Sequence, residues 1–266
     1  ILLENVKGLV GHDKGRTLDI IAKTLSEIGY TLDFDIVNSK YFGVPQNRER
    51  IYIIAIRSDL QPHEEWKESS LQGDTIVPKG KHRISNYKEV KTFNFSFPKG
   101  SGVNTILDDI LVSEDEVEEQ MYIKGERSDL LLEQLEVEYQ GLEITCDNPE
   151  KLHLVGRLNI QGGIDQNKRV YSSKAQCPTL TTMGGGNTEP KVVYFKDGKY
   201  YIRKLTPKEC WRLQGFTDEQ HDTVEAVGIS NSQRYKQAGN AVTVNVIKAL
   251  GESIIKHLEN IDKIGK

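Results

Sequence analysis

The 266-residue chain is 37% hydrophobic and 28% charged, the balance of a globular protein with one large core or two smaller ones. It contains no run of about 18 apolar residues, which excludes a membrane-spanning helix, and its opening residues lack a basic leader, so a cytoplasmic location is expected. Three scattered cysteines, Cys146, Cys177 and Cys210, exclude a disulfide framework or a Cys-x-x-Cys metal site, and the net charge of −4 argues against a uniformly basic surface.

Residues 1–6 form an apolar run carrying Glu4, as in a strand that ends in a carboxylate. Ile20, Ile21, Leu25 and Ile28 at helical spacing predict a helix over 19–28, stopped by Gly29, and the alternation of Leu32, Phe34 and Ile36 predicts a strand over 31–37. A loop with Gly43 and Pro45 leads to Gln46-Asn47-Arg48-Glu49-Arg50-Ile51 and an apolar strand over 50–57, which sets two guanidiniums at a strand mouth. This alternation is one edge of an open α/β sheet.

From about residue 59 the chain turns polar, and Pro78-Lys79-Gly80-Lys81 and Phe97-Pro98-Lys99-Gly100 read as loops, with a domain boundary expected between 60 and 75. A short helix over 105–111 opens an acidic insertion near 106–143, whose acids and leucines over 128–142 suit a solvated helical face. Residues 157–201 look like short strands and glycine loops, with a turn at Lys196-Asp197-Gly198-Lys199. The window 157–204 holds nine basic residues against three acidic ones, a balance of +6 that suits a phosphate-facing surface. Thr206 as N-cap, Pro207 at the first helical position and Glu209 at the third predict a helix to about 214. A short helix over 230–237 follows, then a final helix over 241–258 opened by Gly239-Asn240-Ala241-Val242 with Asn240 as its cap.

Four blocks, Glu4-Asn5-Val6, residues 46–57, residues 203–210 and residues 235–246, resemble in order and spacing the later half of the DNA (cytosine-5) methyltransferases. The resemblance implies an α/β fold: the C-terminal part of a Rossmann-like S-adenosylmethionine-dependent methyltransferase sheet plus a small β-rich target-recognition domain. It implies residues 1–70 as catalytic domain, 71–206 as recognition domain, 207–239 as hinge helices, and 240–266 as a final helix returning to the catalytic domain. Glu4 would hold the ring nitrogen and amine of the target cytosine, and Arg48 and Arg50 its carbonyl oxygen and a nearby phosphate or the glutamate, all converging on one slot. Asn240, Ala241 and Val242 would border S-adenosylmethionine. Gln166, Arg169, Tyr171, Thr179, Gly184, Gly185 and Gly186 would meet double-stranded DNA, Gln166 filling the space left by a flipped base and Arg169 reading guanine. On residue type alone, Glu4 is equally a capping or surface carboxylate, the two arginines a strand-edge ion pair, and the stretch around Arg169 a hairpin with solvent-facing bases.

The family's nucleophile is a cysteine directly after proline, and this sequence has no Pro-Cys; Cys177-Pro178 reverses the order. A thiolate must add to C6 before C5 can accept a methyl group, so this segment alone is expected to be inactive. The N-terminal half, with the nucleophile and the glycine-rich cofactor loop, is expected in another chain, a separate part, or sequence before residue 1. The complete enzyme is expected to be a monomer of a restriction–modification system and to need no metal. Two other readings stay open: a DNA-recognition or regulatory subunit of a split methyltransferase, without chemistry of its own, and a metabolic α/β enzyme unrelated to DNA.

Overall fold

The computed structural model describes residues 1–182 and 188–264, beginning with β1 (Leu2–Val6), α1 (Arg16–Glu27), β2 (Tyr30–Asn38), β3 (Gln46–Asn47) and β4 (Glu49–Arg57). Next come α2 (Glu68–Leu71), α3 (Ile76–Ile84), α4 (Asp129–Tyr139), β5 (Leu154–Arg157), β6 (Arg169–Ser172), β7 (Cys177–Pro178), β8 (Lys191–Lys196) and β9 (Lys199–Lys204). Four helices complete the chain: α5 (Pro207–Arg212), α6 (Asp218–Ala226), α7 (Asn231–Asn240) and α8 (Val244–Ile264). Two compact units result, one from Ile1–Asn38, Glu49–Lys99 and Ile247–Lys266, the other from Ser39–Arg48 and Gly100–Val246.

In the first unit β4 is the central strand of a sheet ordered β1-β4-β2, antiparallel to both neighbours. Its run Ile51, Tyr52, Ile53, Ile54 and Ala55 is buried throughout, as a strand covered on both faces requires. Leu18, Ala22 and Leu25 recur along one face of α1 and pack with Leu32, Phe34, Ile51 and Ile53. Among the described residues β1 has a strand on one side only, and Val6 beside that open edge is 54% exposed.

The stretch expected to be a loop around Pro78 is a helix, α3, so the chain does not leave the first unit between 60 and 75. Pro78 sits in the first turn, where its missing N–H costs no intrahelical bond. Gly80 lets the helix approach the sheet, since a Cβ there would lie 2.7 Å from Val10 and 3.3 Å from Phe34. From this helix Lys81 reaches Asp33 at 2.7 Å, both side chains being buried. Burial pushes the Asp33 carboxyl above the usual range, and Lys81 with the amides of Phe95 and Phe34 pulls it back.

The second unit is built on a sheet ordered β5-β6-β8-β9, with β6 and β8 parallel and the other pairs antiparallel. Asp197 and Gly198 both have positive φ at the β8–β9 turn, the conformation that Asp-Gly favours in a two-residue hairpin. Leu131 and Leu135 of α4 pack with Val170, Val193 and Ile202, while its acids remain exposed as the sequence predicts. Thr206, Pro207 and Glu209 form the expected capping box of α5, and Thr217 with Gln220 forms a second one on α6. The Gly239-Asn240 block does not open the last helix. Both residues end α7, Ala241 is extended, and α8 begins at Val244. No helix among the described residues is long and apolar enough to cross a membrane.

Candidate functional site

Glu4 and Arg50 come together in the first unit. The antiparallel register sets Glu4 opposite Tyr52 and Val6 opposite Arg50, so the two-residue period of the strands puts all four side chains on one face. Arg50 Nε lies 3.1 Å from Glu4 Oε1, with the two side chains 15% and 25% exposed. Arg50 also donates to its neighbour's carbonyl, Glu49 O, at 2.9 Å. Glu4 Oε1 itself is buried, yet no aligned hydrogen bond reaches it among the described residues.

Arg48 does something different. In the second unit the extended segment 45–48 runs beside 177–180, with Cys177 N donating to Pro45 O at 2.7 Å and Thr179 Oγ1 to Asn47 O at 2.6 Å. Gln46 Oε1 accepts from Leu180 N at 3.1 Å, and Arg48, 4% exposed, donates to Leu180 O at 3.2 Å and Ala241 O at 3.0 Å. Gln46 Nε2 continues to Leu213 O at 2.8 Å. Behind this ladder Ser39 Oγ, Thr243 Oγ1 and Gln214 form a buried chain that ends where Gln214 donates to Ala238 O. The two arginines of the block thus have separate partners. Sequence reasoning missed Gln46, Gln214 and Thr243; the signal was the spacing of Gln46 and Arg48, two apart on extended backbone and therefore on one face.

Of the expected cofactor residues, Asn240 and Val242 are exposed and Ala241 is half-buried. Gly239 before them packs against 181–182, where a Cβ would fall 1.8 Å from Thr181 O. Of the expected DNA residues, Gln166 is exposed on the 3-10 turn Asp165–Lys168. Arg169 is paired across the strands with Arg157, and Asp165 holds both, at 2.7 and 2.5 Å. Those guanidiniums keep the Asp165 carboxyl below the usual carboxylate range. Tyr171 is 6% exposed and shares the Arg169 face of β6, so its burial, which leaves little surface for DNA, comes from what packs over that face rather than from its place in the strand. Gly184, Gly185 and Gly186 lie outside the described residues.

The basic window is also less available than its sum implies. Arg203 is buried in an ion pair with Glu209 at 2.7 Å, Lys174 meets Asp108 and Glu143, Lys196 meets Glu114, and Lys204 meets Glu189. Lys191 is buried. Two of the cysteines, Cys177 and Cys210, are fully buried, and burial pushes both thiols up, away from thiolate chemistry. His221, Asp222 and Glu225 gather ligand-type atoms within 4.8 Å, but Arg234 pairs with Glu225 and donates to His221 Nε2 at 2.9 Å. That donation leaves the ring proton on Nδ1, facing Asp222, and a cation would have to displace a guanidinium.

The family model of C-5 cytosine-specific DNA methylases matches residues 1–256. The orphan methyltransferase M.SPBetaI of Bacillus phage SPbeta is 40% identical over 96% of this chain and 65% of its own length. The type II methyltransferase M.HhaI of Haemophilus parahaemolyticus is 33% identical over 96% of this chain and 62% of its own. The chain therefore spans just under two thirds of the length of these relatives. In fold it is similar to the methyltransferase EhMeth of Entamoeba histolytica, with a TM-score of 0.56 at 17% identity, covering 97% of this chain and 62% of that one. The Dnmt2 methyltransferase of S. pombe gives 0.54 at 17% identity, covering 97% and 66%.

Proposed function

The chain belongs to the C-5 cytosine-specific DNA methylase family, and on that premise we propose that it forms the base-holding and target-recognition part of a DNA (cytosine-5) methyltransferase. In this reading the whole enzyme works in the cytoplasm as the modification partner of a restriction system, turning a cytosine out of double-stranded DNA and methylating its C5. The observation that carries it is Glu4 Oε1: a buried acceptor beside Arg50 that no aligned donor among the described residues satisfies. Buried polar atoms are normally hydrogen-bonded, so this carboxylate oxygen in the middle of β1, held by an ion pair alone, suits a ligand donor. A carboxyl there can hold or share a proton and bond the ring nitrogen and amine of a flipped cytosine. Arg50 keeps that carboxyl oriented, and its planar fork suits the carbonyl oxygen of the base.

S-adenosylmethionine supplies the methyl group when bound. The exposed amide of Asn240 and the apolar surface of Ala241 and Val242 fit a ligand with polar and apolar ends, and these residues would form one wall of its site. Gln166 and Arg169 are proposed to meet DNA from the β-rich unit, and Thr179 from a separate segment fixed to Asn47 O.

The nucleophile is proposed to come from an N-terminal half, because neither buried thiol suits attack on C6 and no cysteine here follows proline. The edge of β1 that no strand among the described residues pairs, in a strand carrying exposed Leu3 and Val6, offers that half a strand to pair with. The same buried thiols favour one rival, a recognition subunit without chemistry. The chain alone and the intact enzyme, each given S-adenosylmethionine and plasmid DNA, separate them by bisulfite sequencing. We expect 5-methylcytosine only with the intact enzyme. Methylation by the chain alone overturns the assignment of the nucleophile, and none by either overturns the enzyme reading.

A further inference from the structure

Arg48 serves two segments that are far apart in sequence, Leu180 O at 3.2 Å and Ala241 O at 3.0 Å. Leu180 follows Thr179, a candidate DNA residue, and Ala241 belongs to the candidate cofactor block. Gln46, two residues before Arg48, takes the other polar group of Leu180 by accepting from its N–H. Both ends of Leu180 are thus held by side chains from one short extended segment. Gly239 meets the same stretch independently, because its missing Cβ leaves 181–182 room to lie against it. An arginine suits the bridge, since its rigid fork offers donors in two fixed directions whereas a lysine offers one compact ammonium.

We infer that Arg48 is a positioning residue: it sets the spacing between the segment 179–182, which meets DNA, and the block 239–242, which meets S-adenosylmethionine. Each ligand then depends on a contact that neither ligand touches. This rests on the methyltransferase reading. Losing a charged donor to a buried carbonyl weakens its segment's placement by enough to change an affinity about tenfold.

The test is steady-state methyl transfer by the intact enzyme, varying duplex DNA and S-adenosylmethionine in turn, beside equilibrium binding of duplex DNA without cofactor, whose Kd should rise with the KM for DNA, in Arg48→Met, Arg48→Lys and Gly239→Ala. Both KM values should rise together, by about tenfold in Arg48→Met, while kcat at saturation stays within about threefold of wild type. Arg48→Lys should recover part of the loss. Gly239→Ala, which parts the same segments by contact of backbone with Cβ, should raise both KM values as well. Because KM does not depend on how much of a preparation is folded, a merely structural role leaves both values unchanged and overturns the inference. A fall in kcat with both KM values unchanged, or a rise in one alone, also overturns it. Wild-type enzyme that transfers no methyl sinks the functional reading first and this role with it.

Discussion

Arg50 Nε lies 3.1 Å from Glu4 Oε1 although the register pairs Arg50 with Val6, so the guanidinium reaches diagonally along the strand to the carboxylate. A diagonal partner leaves the space directly across from Glu4 to Tyr52. Replacing Glu4 by Gln keeps the shape and removes the transferable proton. In the intact enzyme kcat should fall by about a hundredfold or more with DNA affinity held within about threefold. Single-turnover kinetics beside filter binding check this, and an equal loss in both would move Glu4 out of the acid's role.

Asp165 binds Arg157 and Arg169 at once, and so withholds two cations from any phosphate. Asp165→Asn should strengthen non-specific duplex binding and steepen its salt dependence by roughly one to two counterions. Arg169→Ala should instead cost about 1–3 kcal/mol of discrimination between the true site and a one-base mismatch. Competition binding over a salt series measures both, and unchanged sequence preference in Arg169→Ala would send recognition elsewhere.

Glu209 is fully buried and accepts four hydrogen bonds, two from Arg203 and one each from the amides of Thr206 and Val112. Glu209→Gln leaves the Arg203 charge buried without its counter-ion, at a cost of about 3–5 kcal/mol. Replacing Arg203 by Met in the same protein should restore part of that. Urea unfolding of the single and double variants tests it, and a single variant within about 1 kcal/mol of wild type contradicts it.

Burial pushes the Lys191 ammonium down to about 8 from 10.5, with Glu189 opposing and Lys204 assisting the shift. Between those values the unfolded chain keeps a proton that the folded protein has released, so stability from this group rises with pH across the window. Below about 8 both states are protonated and its contribution is flat, at its least favourable. The melting temperature of Lys191→Met, compared with wild type from pH 7 to 10.5, should lack this rise. Parallel curves for the two proteins would refute it.

Elements with strong local signals were legible. The Thr206-Pro207-Glu209 box and the Asp197-Gly198 turn follow from neighbours a few residues apart, whereas α1 forms as expected but buries Leu18, Ala22 and Leu25 and leaves Ile20 and Ile28 of the expected stripe exposed. Helix α3 was not, because Pro78 and Gly80 read locally as breakers, and only Val10 and Phe34, distant in sequence, explain why a glycine there helps. Helix α6 carries a local signal, Thr217 followed by Gln220, which the charges after it obscure. The Glu4–Arg50 pair could be anticipated from the resemblance alone. The partners of Arg48 could not, since backbone carbonyls 132 and 193 residues away leave no mark on residue type.

The bond from Ser39 to Thr243 spans 204 residues, and the 39–48 segment belongs to one compact unit with residues 100–246. During synthesis this short stretch leaves the ribosome long before anything exists to receive it, so completion of the β-rich unit must wait for the last helices. A protein engineer who cuts out residues 100–246 as a portable DNA-reading module would leave behind the strip that Gln46 and Arg48 supply. The excised piece would need that decapeptide grafted back to match the stability of the parent.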